Sequence, residues 1–376
     1  MLDLIDFDHA LQQFIASYAD RWPDAISQAY SSDETKDEID RLIVFSPTVL
    51  RELDGNHPQV LHHGHVTENV IVLIHGLTDS PYYMRAIAQD FARAGFNVVL
   101  PLLPAHGLKR PGKAFHTLQH TDWIEHVNAV CDIAKSLGKK LSIGGLSTGG
   151  ALSVYKAMTD PQLVTGGLFL YSAALDIGTV EQLVLQTEAG RMIARLRDQQ
   201  LWLAKTVKDQ LQMILDDQAE GQSNEFFGIG DNPYKYSVFF FEGASQLAEV
   251  IQAINQHYEK RSYKFSDLSL PIFVAHARDD NSALYRGVQL LVDNHPNEAV
   301  EQFTMEGVPH ASVVLRQAIV NDPEHEEYSP ANAHYDEMSE AMLRFAKRHL
   351  IGPTNSDVNP DVDPEAAQNA EIRQRV

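Results

Sequence analysis

The stretch Leu141-Ser142-Ile143-Gly144-Gly145-Leu146-Ser147-Thr148-Gly149-Gly150 constrains this chain more than any other. A short apolar strand runs into Gly145-x-Ser147-x-Gly149 and then into a helix that opens with small residues. A serine between two glycines at such a junction sits on a tight, strained turn. The glycines tolerate the backbone angles and leave room for a substrate. Ser147 Oγ then stands clear of the sheet with a helix N-terminus behind it. The three-letter match alone arises often by chance, but a strand before it and a small-residue helix after it point to a nucleophile.

The segments on either side predict the sheet that such a turn needs. Val70-Ile71-Val72-Leu73-Ile74 is a near-continuous apolar run, as a strand buried on both faces should be. A helix is expected around Met84 to Ala94, a strand at Asn97–Pro101, a helix from Trp123 to Leu137 and a strand at Gly167–Tyr171. From Leu175 to Asp267 the pattern turns helical, with helix spacing in Met192…Ile214 and in Leu247…Ile251…Ile254. It resumes with Pro271–Ala275, Ala299–Phe303 and a last helix over roughly Asp336 to Leu350. Strands alternating with helices imply a mostly parallel sheet covered on both faces.

The expected organisation is a 1–65 extension, a 66–174 plus 268–350 core, a 175–267 helical cap and a 351–376 disordered tail. Within the extension, residues 1 to about 40 read as helical, and Arg41–Phe45 and Gln59–Leu61 as edge strands.

Acyl transfer by serine needs a base, a group that orients the base, and donors for the oxyanion. The base is expected on a loop after the last strand, where Gly307-Val308-Pro309-His310 stands. That position sets His310 apart from His325 and His334 among 17 histidines. The orienting acid is expected after the preceding strand, where Asp279 and Asp280 compete and Asp280 is favoured. The order Ser…Asp…His suits a sheet of this kind. One oxyanion donor is the N–H of Thr148. The other is expected from His75-Gly76-Leu77-Thr78-Asp79-Ser80-Pro81, with Leu77 N–H the candidate. Each such donor lowers the barrier by about 3 kcal/mol.

Composition trims the alternatives. With 376 residues, 44% hydrophobic and 22% charged, the chain can bury a large core. A formal net charge of -21 argues against nucleic acid or an anionic membrane surface as partner. The acidic start Met1-Leu2-Asp3-Leu4-Ile5-Asp6 does not resemble a secretory signal, and no apolar run is long enough to span a bilayer, so a cytoplasmic location is expected. Cys131, the one cysteine, reads as a buried small hydrophobe on a helix. His57, His62, His63 and His65 invite a metal, but nothing in their spacing fixes a ligand geometry. No cofactor is expected. The aromatic run Tyr234 to Phe241 suits either an acyl pocket or packing of cap on core.

Together these residues resemble the α/β-hydrolase superfamily, in the branch of bacterial carboxylesterases and monoacylglycerol lipases. The resemblance rests on Leu73-Ile74-His75-Gly76-Leu77-Thr78, Leu103-Pro104-Ala105-His106-Gly107, Thr121-Asp122-Trp123, Gly145–Gly150, Ala277-Arg278-Asp279-Asp280 and Pro309-His310. It implies the α/β-hydrolase fold with an inserted helical cap, and it places the acid at the second carboxylate, Asp280. That branch more often has Phe at the position of Leu77, and Leu, Met or Gln at that of Thr148. Backbone donors survive both changes, while the acyl pocket takes a different shape. The implied activity is hydrolysis of short- to medium-chain acyl esters through an acyl-enzyme, with a small ester as partner and no stable membrane association. The alternatives are a monoacylglycerol lipase or lysophospholipase, and a non-catalytic ligand-binding protein on the same fold.

Overall fold

The computed structural model describes residues 2–31, 39–178, 232–236, 241–260, 268–295, 299–320 and 328–351. The helix expected over Met192…Ile214, residues 237–240 of the aromatic run, His325 and the tail beyond 351 lie outside them.

Nine strands form one sheet in the order β1-β2-β3-β5-β4-β6-β7-β8-β9. They are β1 (Ile26–Tyr30), β2 (Asp40–Phe45), β3 (Gln59–His62), β4 (Thr67–Ile74), β5 (Asn97–Leu100), β6 (Gly138–Leu146), β7 (Leu168–Tyr171), β8 (Ile272–Ala277) and β9 (Val300–Met305). Strands β1, β2 and β3 pair antiparallel with one another and then with β5. All pairings from β5 through β4 and β6 to β9 are parallel.

Alternation along the strands explains why both faces are dry. Val70, Val72 and Ile74 of β4 point into one core, and Ile71 and Leu73 into the other. Leu168 and Leu170 of β7 join the first core, and Phe169 and Tyr171 the second. The first core takes up α1 (Leu2–Ala19), α4 (His120–Ala134), α5 (Thr148–Thr159) and α6 (Phe241–Lys260). The second takes up α2 (Arg85–Arg93) and α8 (Tyr335–Ala346). Two further helices are α3 (Gly112–Thr117) and α7 (Tyr285–Asp293).

Helix α4 starts three residues before the expected Trp123, because Gln119 and Asp122 form a reciprocal capping box. In α6, Ala244, Leu247, Val250 and Ile254 are buried at helical spacing and Ile251 only half so, which sets the helix on α5 and α4.

One expectation is corrected. The helical reading of residues 1 to about 40 fails at Ile26–Tyr30, which is strand β1. Its first four residues are exposed, and Ile26 is half bare. The free edge of β2 holds it through backbone pairing, so no apolar alternation marks it in the sequence.

The register decides where chemistry can occur. Ile74 stands opposite Gly145, Leu146 opposite Tyr171, Tyr171 opposite Ala275 and Ala277 opposite Met305. The carboxyl ends of β4, β6, β7, β8 and β9 are therefore level, and the loops after them meet along one edge, as ligand sites do in open parallel sheets.

Phe169 lies fully buried against Phe91, Phe273 and Phe345, bridging β7, β8, α2 and α8. Phe169→Ala is expected to cost about 3–5 kcal/mol of unfolding free energy, measured by denaturant titration. A loss below about 1 kcal/mol would contradict this account of the second core.

Candidate active site

Ser147 joins β6 to α5 at φ 53 and ψ −113, a region that residues with a side chain rarely adopt. Its N–H donates to Tyr171 O at 3.0 Å, and its carbonyl accepts from Ala151 and Ala174 N–H, each at 3.0 Å. The flanking glycines are required by space. A Cβ at Gly145 would lie 2.3 Å from Ile74 O, and one at Gly149 2.1 Å from the same atom. The turn can hold its angle only by pressing against the end of β4.

Asp280 follows β8 and is buried. Its Oδ1 accepts from the N–H groups of Ser282 (2.8 Å) and Ala283 (3.0 Å), and its Oδ2 lies 2.7 Å from His310 Nδ1. Burial alone would raise this carboxyl. The charge and hydrogen bond of His310, with the Ala283 N–H, outweigh it and hold the group at about 2. Asp279, its neighbour, turns the other way and accepts from Gly307 N–H, at 3.1 Å to each oxygen. His310 itself opens the 3₁₀ turn His310–Val314 after β9. The carboxylate–imidazole half of the relay is thus formed. Among the described residues no hydrogen bond joins Ser147 Oγ to His310, and such bonds often tighten only when substrate is present.

The loop after β4 faces the serine. A Cβ at Gly76 would lie 3.3 Å from Ser147 Cβ. His75 is fully buried and neutral: burial, then the neighbouring His106, push it well below the usual imidazole range. Leu103 N–H donates to His75 Nε2 at 3.1 Å, so Nδ1 carries the proton and donates to Gly76 O at 2.9 Å. That bond fixes the Gly76–Leu77 peptide and with it the direction of Leu77 N–H, because the two groups of a planar trans peptide point oppositely. Thr148 N–H is the first amide of α5, with no partner inside the helix.

Residues 65–314 match the family described as serine aminopeptidase, S33. The chain belongs to that family. A thermostable monoacylglycerol lipase of Bacillus sp. strain H-257 is 32% identical over 128 residues, which are 34% of this chain and 48% of the lipase. The chain thus spans about half the length of the curated relative it matches. Among solved structures, one from a study of LipS and LipT, two metagenome-derived lipolytic enzymes, has TM-score 0.55 at 19% identity, covering 79% of this chain and 99% of that one. The fold is that of the α/β-hydrolases, as the parallel order of β5-β4-β6-β7-β8-β9 requires.

In this S33 chain several residues at the edge carried no sequence signal. Asp79, two residues beyond Leu77, is buried, and its Oδ1 lies 3.4 Å from Lys235 Nζ. Burial raises its carboxyl, while Lys235 and His310 pull the other way. Lys235 belongs to a strap, residues 232–236, that lies against the loop after β4. Tyr236 N–H donates to Thr78 O at 2.8 Å, and Tyr236 Oη takes up Leu108 N–H at 2.8 Å. Buried Tyr236 packs edge-on to Phe115, so this part of the aromatic run packs against α3. His276 Nε2 lies 2.9 Å from Ala283 O, bracing the turn that carries Asp280.

Other features fall away from the edge. A cleft of about 440 Å³ lies across the 102–108 loop, between Trp22, His106 and Leu118, and its walls include none of Ser147, Asp280 and His310. His63 Nε2 meets Ala92 O at 3.1 Å, and His57 Nε2 meets Arg51 O at 2.7 Å. Among the described residues no group of three or more His, Cys, Asp or Glu could hold a metal ion, and no helix is long and apolar enough to cross a membrane. Cys131 is buried, and burial pushes its thiol up to about 12.

The two adjacent carboxylates can be told apart in solution. The wild-type protein and Asp279→Asn should both show a low-field Nδ1–H proton resonance from His310, and Asp280→Asn should lose it. Loss in Asp279→Asn alone would reverse the assignment.

Proposed function

We propose that this protein is a serine carboxylester hydrolase acting on short- to medium-chain acyl esters. The observation that carries the reading is the His310–Asp280 hydrogen bond of 2.7 Å on the same sheet edge as a serine held at positive φ. Ser147 Oγ attacks the ester carbonyl as His310 Nε2 takes its proton. Asp280 keeps the other ring nitrogen protonated and stabilises the imidazolium. Leu77 and Thr148 N–H hold the oxyanion. The alcohol leaves with the proton from His310, and water releases the acyl group by the same route. No cofactor takes part in these steps.

A second reading, a monoacylglycerol lipase, is favoured by the likeness over 128 residues to the Bacillus enzyme of that name. Chain length separates the two. A series of p-nitrophenyl esters and monoacylglycerols should give the highest kcat/KM at short to medium acyl chains. A maximum at long chains would favour the lipase.

Ser147→Ala should lower ester turnover by about 10³–10⁶-fold with an unchanged circular dichroism spectrum. Wild-type protein should be labelled rapidly by a fluorophosphonate probe. A folded wild-type protein that neither hydrolyses esters nor takes the probe would leave only a ligand-binding role.

A further inference from the structure

The catalytic scheme leaves one ion pair unused, a buried Asp79 and a half-buried Lys235. Asp79 sits in the loop that carries Leu77, close to Ser147: a Cβ at Gly76 would meet Asp79 Oδ2 at 2.4 Å and Ser147 Cβ at 3.3 Å. The groups facing Asp79 are Lys235 from the strap, His310 from the turn after β9, and the Tyr83 hydroxyl from the turn Pro81–Met84. That turn packs directly on His310–Val314. The groups facing His310 are Asp280 and His276 from the β8 side, and Asp79.

A bare carboxylate at this place would work against the reaction. It would repel the negative charge that develops on the substrate oxygen. It would also favour imidazolium over the imidazole that must accept the Ser147 proton. A fold that buries such a group beside its nucleophile needs a compensating cation, and Lys235 Nζ lies 3.4 Å from Asp79 Oδ1. The backbone that carries the lysine is held in place. Arg51 donates to the carbonyls of Lys235 (3.1 Å) and Asn232 (3.3 Å), Asn56 Nδ2 donates to Pro233 O at 3.0 Å, and the Tyr236 amide holds Thr78 O.

We propose that Asp79 and Lys235 act as an electrostatic positioning pair, in which a lysine on the 232–236 strap offsets a carboxylate that the loop after β4 places beside Ser147. The pair makes activity conditional on the strap being seated. With the strap in place the loop is both pinned and neutralised. With it displaced, the loop loses both its pin and its compensating charge.

This inference rests on Ser147 being an activated nucleophile, so its test reads activation directly, as the second-order rate of fluorophosphonate labelling against pH. Lys235→Met should slow labelling near neutrality about tenfold and move the acidic limb up by about one pH unit, because loss of a cation favours imidazolium. Lys235→Arg should stay within about twofold of wild type, since it keeps the charge. Asp79→Asn should move the limb down, because loss of the anion disfavours imidazolium. The double variant Asp79→Asn, Lys235→Met should label faster near neutrality than Lys235→Met alone. Superimposable profiles, or single variants that move the limb in the same direction, overturn the proposal. If circular dichroism shows Asp79→Asn unfolded, the Met and Arg variants of Lys235 decide by themselves: a shift in Met rescued by Arg supports the pair, and its absence overturns it. Wild-type protein that takes no probe removes the hydrolase reading and this one with it, whereas labelled wild type with unmoved variants removes the charge pair alone.

Discussion

The structure turns on a single close approach. The end of β4 presses Ile74 O into the turn between β6 and α5 so tightly that neither Gly145 nor Gly149 has room for a Cβ. This contact forces Ser147 into its positive φ, since no relaxed path leads from strand to helix in that space. It also sets α5 against β4, so that the first amide of the helix and the loop leaving β4 face a common point. Backbone strain is normally relieved unless its surroundings hold it. Here Tyr171 O, Ala151 N–H and Ala174 N–H clamp the serine from β7 and α5.

Level strand ends then do the rest. Parallel pairing in register from β4 to β9 brings residues from far apart in the chain within reach of the serine without a long excursion of backbone. The turn after β8 is braced by His276 and by two amides on Asp280 Oδ1, so the carboxylate reaches His310 with little freedom left to lose. Preorganisation of this kind matters more than the net strength of any one hydrogen bond, because the groups need not reorganise as charge develops.

Much of this was legible in the sequence, and the reason is local. Strands buried on both faces announce themselves as apolar runs, so β4 to β8 and the loops bearing Ser147 and Asp280 could be located, while the half-buried edge strand β9 followed from the resumed strand–helix rhythm. Strand β1 could not, because an exposed edge strand needs only a partner's free backbone. Adjacent carboxylates could not be separated by composition, because their difference is one of direction: the turn sends Asp280 toward His310 and Asp279 toward the Gly307 amide. The strap was seen only as an aromatic run. Most of its attachments are backbone carbonyls and amides met by Arg51, Asn56 and Thr78, and such groups are identical at every residue.

Arg51 and Asn56 lie between β2 and β3, Thr78 and Asp79 in the loop after β4, and the 232–236 strap bonds to both segments. Through Tyr236 Oη the strap also reaches the 102–108 loop, whose Leu103 amide fixes the tautomer of His75 and hence the Gly76–Leu77 peptide. Arg51 and Asn56 thus supply donors that seat the 232–236 strap against the loop after β4. The strap, the 102–108 loop and the loop after β4 are therefore linked by one set of hydrogen bonds that ends at the Gly76–Leu77 peptide.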